Sequence, residues 1–215
     1  MLFGRSQEEL IALLIALIPA FTVHEFAHAW VAYKLGDPTA KNLGRLTLNP
    51  LKHLDMFGML MVLVAGFGWA KPVPVNPANL RHGRRDFAVV AVAGPLSNLI
   101  MAGLAALAWR TFAADQQFPS LVVYTWLVFV WLNVALMFFN LLPIAPLDGF
   151  RVALGLLPAR LSTMFAKTAQ WGGFVLIALI LLGSISGRAG LGRLDILGTL
   201  ISEPTQRVVT WLLGR

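Results

Sequence analysis

Two stretches of this chain, Phe87–Trp109 and Leu121–Leu142, contain no Asp, Glu, Lys or Arg, and a third, from about Glu9 to Lys34, carries Glu25 as its only internal charge. At roughly 1.5 Å per residue, a helix of about 20 such residues crosses the ~30 Å hydrocarbon core of a bilayer. No water is available there to pair with a bare amide, so a spanning segment must bond its own backbone as a helix. Trp171–Ile185 adds a shorter fourth run. The expected fold is an all-α polytopic membrane protein with about four transmembrane helices plus a short re-entrant helix/strand segment. The overall balance agrees: 58% of the 215 residues are hydrophobic and 13% charged, whereas soluble domains sit near half and a quarter. Spans in this number leave no room for a sizeable soluble module. Glu8 and Glu9 precede the first run, which continues past signal-peptide length without a small-residue cleavage site, so it is expected to stay as a helix.

The connecting segments sort the topology. Pro19 should bend the first helix, and Gly36-Asp37-Pro38 should stop it. Met56–Trp69 is apolar but short, and a run of about 10–14 apolar residues is more often re-entrant or interfacial than spanning. Lys71-Pro72-Val73-Pro74-Val75-Asn76-Pro77 cannot be helical and reads as an extended edge strand or loop. The segment 56–80 is therefore expected to dip in and return. With three core helices it makes up a unit over residues 1–155, followed over 156–215 by a C-terminal transmembrane helix and an amphipathic tail. Lys and Arg gather at 34–52, 81–85 and 151–167. If the short run re-enters, all three clusters fall on one side, which the positive-inside bias makes the cytoplasm. The protein is then expected in the cell (inner) membrane with its N-terminus outside. The loop carrying Asp115 would face out, and so would the tail, where Arg188, Arg193, Arg207 and Arg215 fit poorly. The net charge of +7 is read as loop charge facing anionic lipid, with no nucleic acid implied, because the basic residues lie between apolar runs. The absence of cysteine excludes disulfides and a thiolate metal site.

His24 and His28 lie four residues apart in the first run, so on a helix they share a face, one turn apart. Two neutral imidazoles so placed can share one zinc ion, and Glu25 can reach a water there and take its proton. In a soluble helix a satisfied histidine pair would be an even alternative. A glutamate inside a membrane helix costs several kcal/mol unless paired or hydrated, which turns the balance towards function. A catalytic zinc takes three protein ligands. His53 and His82 lie in basic loops, while Glu8, Glu9 and Glu203 lie at the far end of the first helix or in the tail. Asp148 follows the third span, and its plain reading is an Asp-Gly turn. Yet it lies towards the same side of the membrane as His24 and His28, so the three can meet at one depth.

Taken together, these pieces resemble the site-2 protease family of intramembrane zinc metalloproteases, in its compact bacterial-type branch without a PDZ or CBS domain. The resemblance rests on HEFAH in the first span, Gly94-Pro95-Leu96-Ser97-Asn98 in the second and NLLPIAPLDG at the end of the third. GRLTLNPLKHLD and GWAKPVPVNP match as well, and the likeness extends over residues 8–155. It implies one zinc ion per chain held by His24, His28 and Asp148, with Glu25 as catalytic acid/base. It also implies cleavage of transmembrane substrate proteins or peptides near the cytoplasmic face, in regulated intramembrane proteolysis or in clearing signal-peptide remnants. Asn140 could bind substrate backbone or stabilise an oxyanion, or bond between helices. Gly94 and Asn98 read as a close-packing pair that helps shape the site. Pro143 and Pro146 break the third helix, which membrane depth tolerates where backbone lines a wet cavity. Val73 and Val75 could pair with an unwound substrate as an added strand, or belong to a plain loop. His53 could stand behind the metal ligands or contact lipid from its loop, and the lipid-contacting role is the expectation. The alternative function is a non-proteolytic membrane metal-binding protein or zinc transporter, since intramembrane His and Asp also mark ion pathways. The later spans hold almost no further ionisable residues for such a route. A membrane metalloprotease with a glutamate as third ligand lacks a well-placed glutamate.

Overall fold

The computed structural model describes residues 6–65, 68–113, 118–188 and 195–214. Gly66 and Phe67 of the short apolar run, Asp115 of the outer loop, and Arg193 and Arg215 of the tail lie outside the described residues. Helix α1 (Gln7–Lys34) opens on a capping box, in which the Ser6 hydroxyl accepts from the Glu9 N–H and the Glu9 carboxylate accepts from the Ser6 N–H. It runs on through Pro19 and stops at Leu35, where Gly36 takes φ 109° and turns the chain. The short α2 (Thr39–Asn42) and α3 (Met56–Ala65) follow. Then come α4 (Arg84–Ala108), extended by a π-helical turn over Trp109–Ala113, and α5 (Ser120–Asn140). The chain closes with α6 (Asp148–Leu156), α7 (Ala159–Ala166), α8 (Ala169–Arg188) and α9 (Ile196–Leu213).

The all-α expectation holds. Among the described residues, three helices are long and apolar enough to cross a membrane: α1, α4 with its extension, and α5. A fourth span results if α7 and α8, bent by 60° at their junction, are taken together. The core helices close on small side chains: Ala12, Ala16 and Ala20 of α1 and Ala102 and Ala106 of α4 are fully buried. In lipid, where apolar burial drives nothing, such close backbone approach is what dispersion packing requires. Ala102 and Ala106 meet Val130 and Val134 of α5, and Val209 of α9 joins the same cluster. The tail helix α9 buries Leu197, Thr205 and Val209. The surface it covers is that of α4 and α5, so it is part of the bundle and does not lie apart from it.

The short apolar segment returns to where it started. Ten residues of α3 rise only about 15 Å. The Lys71 N–H donates to the His53 carbonyl (2.7 Å), and Leu54 bridges Ala70 antiparallel, so entry and exit meet. This bridge is the only β pairing among the described residues. It also corrects the expectation for His53. The ring is fully buried and donates Nε2–H to the Thr47 carbonyl (2.7 Å), so it pins the base of the hairpin and does not face lipid.

Candidate metal centre

Three elements converge on one point: the second half of α1, the first half of α4, and the non-helical segment 141–147 that leads from α5 into α6. That segment turns over Leu141–Leu147 with a cis Ala145–Pro146 peptide bond, and sets Asp148 in the first turn of α6. Gly149 is required there, because a Cβ would overlap the carbonyls of Leu141 and Leu142. On α1, His24 and His28 stack edge to face with ring centroids 4.7 Å apart. Their Nε2 atoms are 3.0 Å apart, and Asp148 Oδ2 lies 3.1 Å from each. His24, His28 and Asp148 are all buried.

The chemistry of this triangle follows from what stands behind it. His24 donates Nδ1–H to Asn98 Oδ1 (2.6 Å), and His28 donates Nδ1–H to the Val90 carbonyl (2.7 Å). Neutral rings held this way present bare lone pairs at Nε2. The three contacts then join lone pair to lone pair with no hydrogen between them. One shared proton could bridge a single contact, whereas a cation in the middle satisfies all three. Tetrahedral zinc with ligands at about 2.0–2.1 Å sets neighbouring donor atoms roughly 3.3 Å apart, close to the spacing seen. Among the described residues, His24, His28 and Asp148 are the one group of three such side chains whose ligand atoms fall within 4.8 Å of one another. Two nitrogens and a carboxylate oxygen suit zinc. Gly94 gives α4 its close approach, since a Cβ there would fall within 2.6 Å of His24 Nε2.

A cavity of about 290 Å³ opens on this triangle, lined also by Glu25, Val73, Asn140 and Pro146. Glu25 is buried and accepts at Oε2 from the Val73 N–H (2.9 Å). The strap that supplies this N–H is tied at both ends. Arg45 donates to the carbonyls of Lys71 (2.5 Å) and Pro72 (3.3 Å). Asp37 accepts from the Asn76 N–H (2.7 Å) and from Asn79 Nδ2 (2.9 Å). Asn140 donates to the Leu136 carbonyl (3.0 Å), one turn back on its own helix. Of the residues singled out in the sequence, His24, Glu25, His28, Val73, Asn140, Pro146 and Asp148 share the cavity, and Gly94 and Asn98 press on its metal side. Val75 packs instead with Ala32, Leu80 and Val90, and Pro143 is exposed and does not line the cavity. Sequence reasoning passed over Asp37 as a plain helix stop, over Arg45 as loop charge, and over Asn133 altogether. The signal for Asn133 was available: it is an amide in a run without charge.

Comparison with known proteins follows this geometry. The profile of peptidase family M50 matches residues 110–183, the part that holds Asn140 and Asp148. Over 180 residues, 78% of each chain, the sequence is 44% identical to a Bacillus subtilis protein that carries the provisional name zinc metalloprotease YwhC. It is 30% identical over 166 residues to the protein provisionally named zinc metalloprotease Rip2 of Mycolicibacterium smegmatis, covering 74% of this chain and 62% of that one. Against Rip2 of Mycobacterium tuberculosis H37Rv the identity is 29% over 171 residues, covering 77% of this chain and 64% of the relative. The chain thus spans somewhat less than two thirds of the Rip2 proteins. No solved structure matches.

Proposed function

This chain belongs to peptidase family M50 and is a site-2-type zinc metalloprotease of the membrane, and we propose that it hydrolyses peptide bonds inside transmembrane segments of membrane proteins, near the cytoplasmic face. The observation that carries this reading is the meeting of the three buried side chains His24, His28 and Asp148, their ligand atoms within 3.1 Å of one another, with Glu25 around one cavity. His24, His28 and Asp148 hold the zinc. When bound, the ion supplies Lewis acidity, which polarises a scissile carbonyl and makes a water easier to deprotonate.

The chain's own residues do the rest. Glu25 takes the proton from the attacking water and passes it to the leaving amine. The Val73 N–H occupies Oε2, which orients the carboxylate and leaves Oε1 for the water. The Asn140 amide keeps a second N–H and its oxygen for substrate backbone or the developing oxyanion. The strap supports docking of an unwound substrate: Pro72 and Pro74 carry no N–H, so Val73 and Val75 hold the only main-chain N–H groups between Lys71 and Asn76, and that of Val73 is taken by Glu25. Apolar lining supports a helical substrate beyond the site. Cavities of about 500, 320 and 290 Å³ lie in series and share Leu13 and Trp131, then Phe21 and Phe139. From Leu13 to Glu25 that trough follows about 18 Å of α1. Orientation towards the cytoplasm is supported by Lys34, Lys41, Arg84 and Arg151, which lie at the end of the bundle nearest the triangle.

The test uses purified full-length protein in detergent with a transmembrane substrate peptide. Glu25→Gln keeps zinc and loses cleavage by at least about 100-fold, while Asp148→Ala loses zinc. Proteolysis retained by purified Glu25→Gln overturns the assignment.

A further inference from the structure

Two fully buried amides, Asn98 on α4 and Asn133 on α5, lead from helix backbone to His24. Asn133 donates from Nδ2 to the Phe129 carbonyl (2.9 Å) and accepts at Oδ1 from Asn98 Nδ2 (2.8 Å). Asn98 Nδ2 also donates to the Ala20 carbonyl (3.3 Å), and its Oδ1 accepts from His24 Nδ1 (2.6 Å). Either amide could be turned end for end, so the direction must be set by groups that cannot reverse. Those are the two main-chain carbonyls, which only accept. The Phe129 carbonyl claims the NH₂ of Asn133, which leaves the Asn133 oxygen for Asn98. That oxygen and the Ala20 carbonyl together claim the NH₂ of Asn98, which leaves the Asn98 oxygen for His24. An oxygen at that point holds the proton on Nδ1 and keeps Nε2, the atom facing His28 and Asp148, as a lone pair.

We infer that Asn133 is a positioning residue of the metal centre: through Asn98 it holds His24 in the tautomer that offers Nε2 to zinc. If Asn98 alone were turned, its oxygen would face two other oxygens and its NH₂ would face Nδ1, and the proton would move to Nε2, where it blocks the centre. Without Asn133 only the 3.3 Å contact to Ala20 opposes that turn. The inference rests on His24, His28 and Asp148 being the zinc ligands. A residue that merely joined α4 to α5 would show its loss in the stability of the bundle, not in the position of a proton on His24.

The experiment uses the full-length protein in detergent, with zinc affinity measured by competition against a chromophoric chelator. Imidazole ¹⁵N resonances of the zinc-free protein report which nitrogen of His24 carries the proton. Asn133→Leu removes both polar contacts at similar size. Asn133→Asp, protonated in so apolar a setting, keeps an O–H for Phe129 and a carbonyl for Asn98. Asn133→Leu is expected to weaken zinc binding by about 10- to 100-fold and to shift His24 towards the Nε2–H tautomer. Asn133→Asp is expected to bind zinc within a few-fold of wild type, with the proton on Nδ1. The inference is overturned if Asn133→Leu binds zinc as wild type does with Nδ1–H retained. It is equally overturned if a folded Asn133→Asp loses both zinc and the Nδ1–H form, and this variant decides the matter should Asn133→Leu fail to fold. Failure of the ligand assignment looks different: wild type itself would bind no zinc, or Asp148→Ala would keep it.

Discussion

Gly94→Ala adds a single methyl directly against both imidazoles of the candidate metal centre. A Cβ there falls within 2.6 Å of His24 Nε2 and Cε1, and closer still to His28 Nε2, where ordinary contact starts at 3.4 Å. The His28 contact, at 2.4 Å, must therefore open by about 1.0 Å to reach ordinary contact, while ligand distances around zinc tolerate about 0.2 Å. Helix α4 cannot simply back away, because Asn98 and Val90 on that helix hold the same two rings by hydrogen bonds of 2.6 and 2.7 Å. Overpacking of this kind costs about 1–3 kcal/mol. Most of it falls on the metal-loaded protein, since free rings can turn aside, so zinc should bind about 5- to 150-fold more weakly. Gly103→Ala on the same helix is the control. A methyl there meets nothing within 4 Å, and replacing a helical glycine gains up to about 1 kcal/mol, so its zinc affinity should equal wild type. Chelator competition on both purified variants, alongside their thermal melts, separates the outcomes. Gly94→Ala binding zinc as tightly as Gly103→Ala would refute the close-approach argument.

Two further perturbations probe the strap. Arg45→Met removes the donors on the Lys71 and Pro72 carbonyls, so amide exchange at 71–76 should rise by about tenfold or more and cleavage should fall while zinc content is unchanged; unaltered exchange there would show that Arg45 is not an anchor. Asp37 tests the other end through pH. Burial pushes its carboxyl up, but hydrogen bonds from Thr39, Asn79 and Asn76 outweigh this and hold it below the ordinary aspartate value. A depressed folded value stabilises the protein above the unfolded value of about 3.9 and is lost as pH falls through the folded one. Melting temperatures of wild type should therefore drop across that acid window, and Asp37→Asn, less stable near neutrality, should show a shallower drop.

How much of this could be read from the chain alone depended on the range of the interaction. The two histidines of HEFAH share a face because of helix period alone, and Asp148 could be matched to them by depth because charge set the orientation of both helices. Contacts across long stretches of sequence left no such trace. Arg45 reaches Lys71 and Asp37 reaches Asn79, 26 and 42 residues away. Their partners are main-chain carbonyls, an amide N–H and an amide side chain, none of which carries a charge that would announce the pairing. His53 was misjudged for the same reason: its surroundings are made by the hairpin between 53 and 71, which local sequence around the ring does not specify.

Asn98 and Asn133 are a different case, because the rule that would have found them is a sequence rule. Water cannot satisfy a side-chain amide inside a span, so each Asn in a charge-free run has donors and an acceptor that the protein itself must engage. The second and third spans hold three, Asn98, Asn133 and Asn140. Reading Asn98 through its spacing from Gly94 made it a packing residue, and that is half of the truth. Gly94 brings α4 onto the imidazoles, and the amide one turn later then lies where it can hold one of them. The same close approach that makes the helix pair tight is what puts a hydrogen-bond acceptor behind His24. Packing and metal chemistry at this point therefore cannot be mutated independently from the α4 side, whereas Asn133, one helix further out, reaches the histidine only through the amide of Asn98.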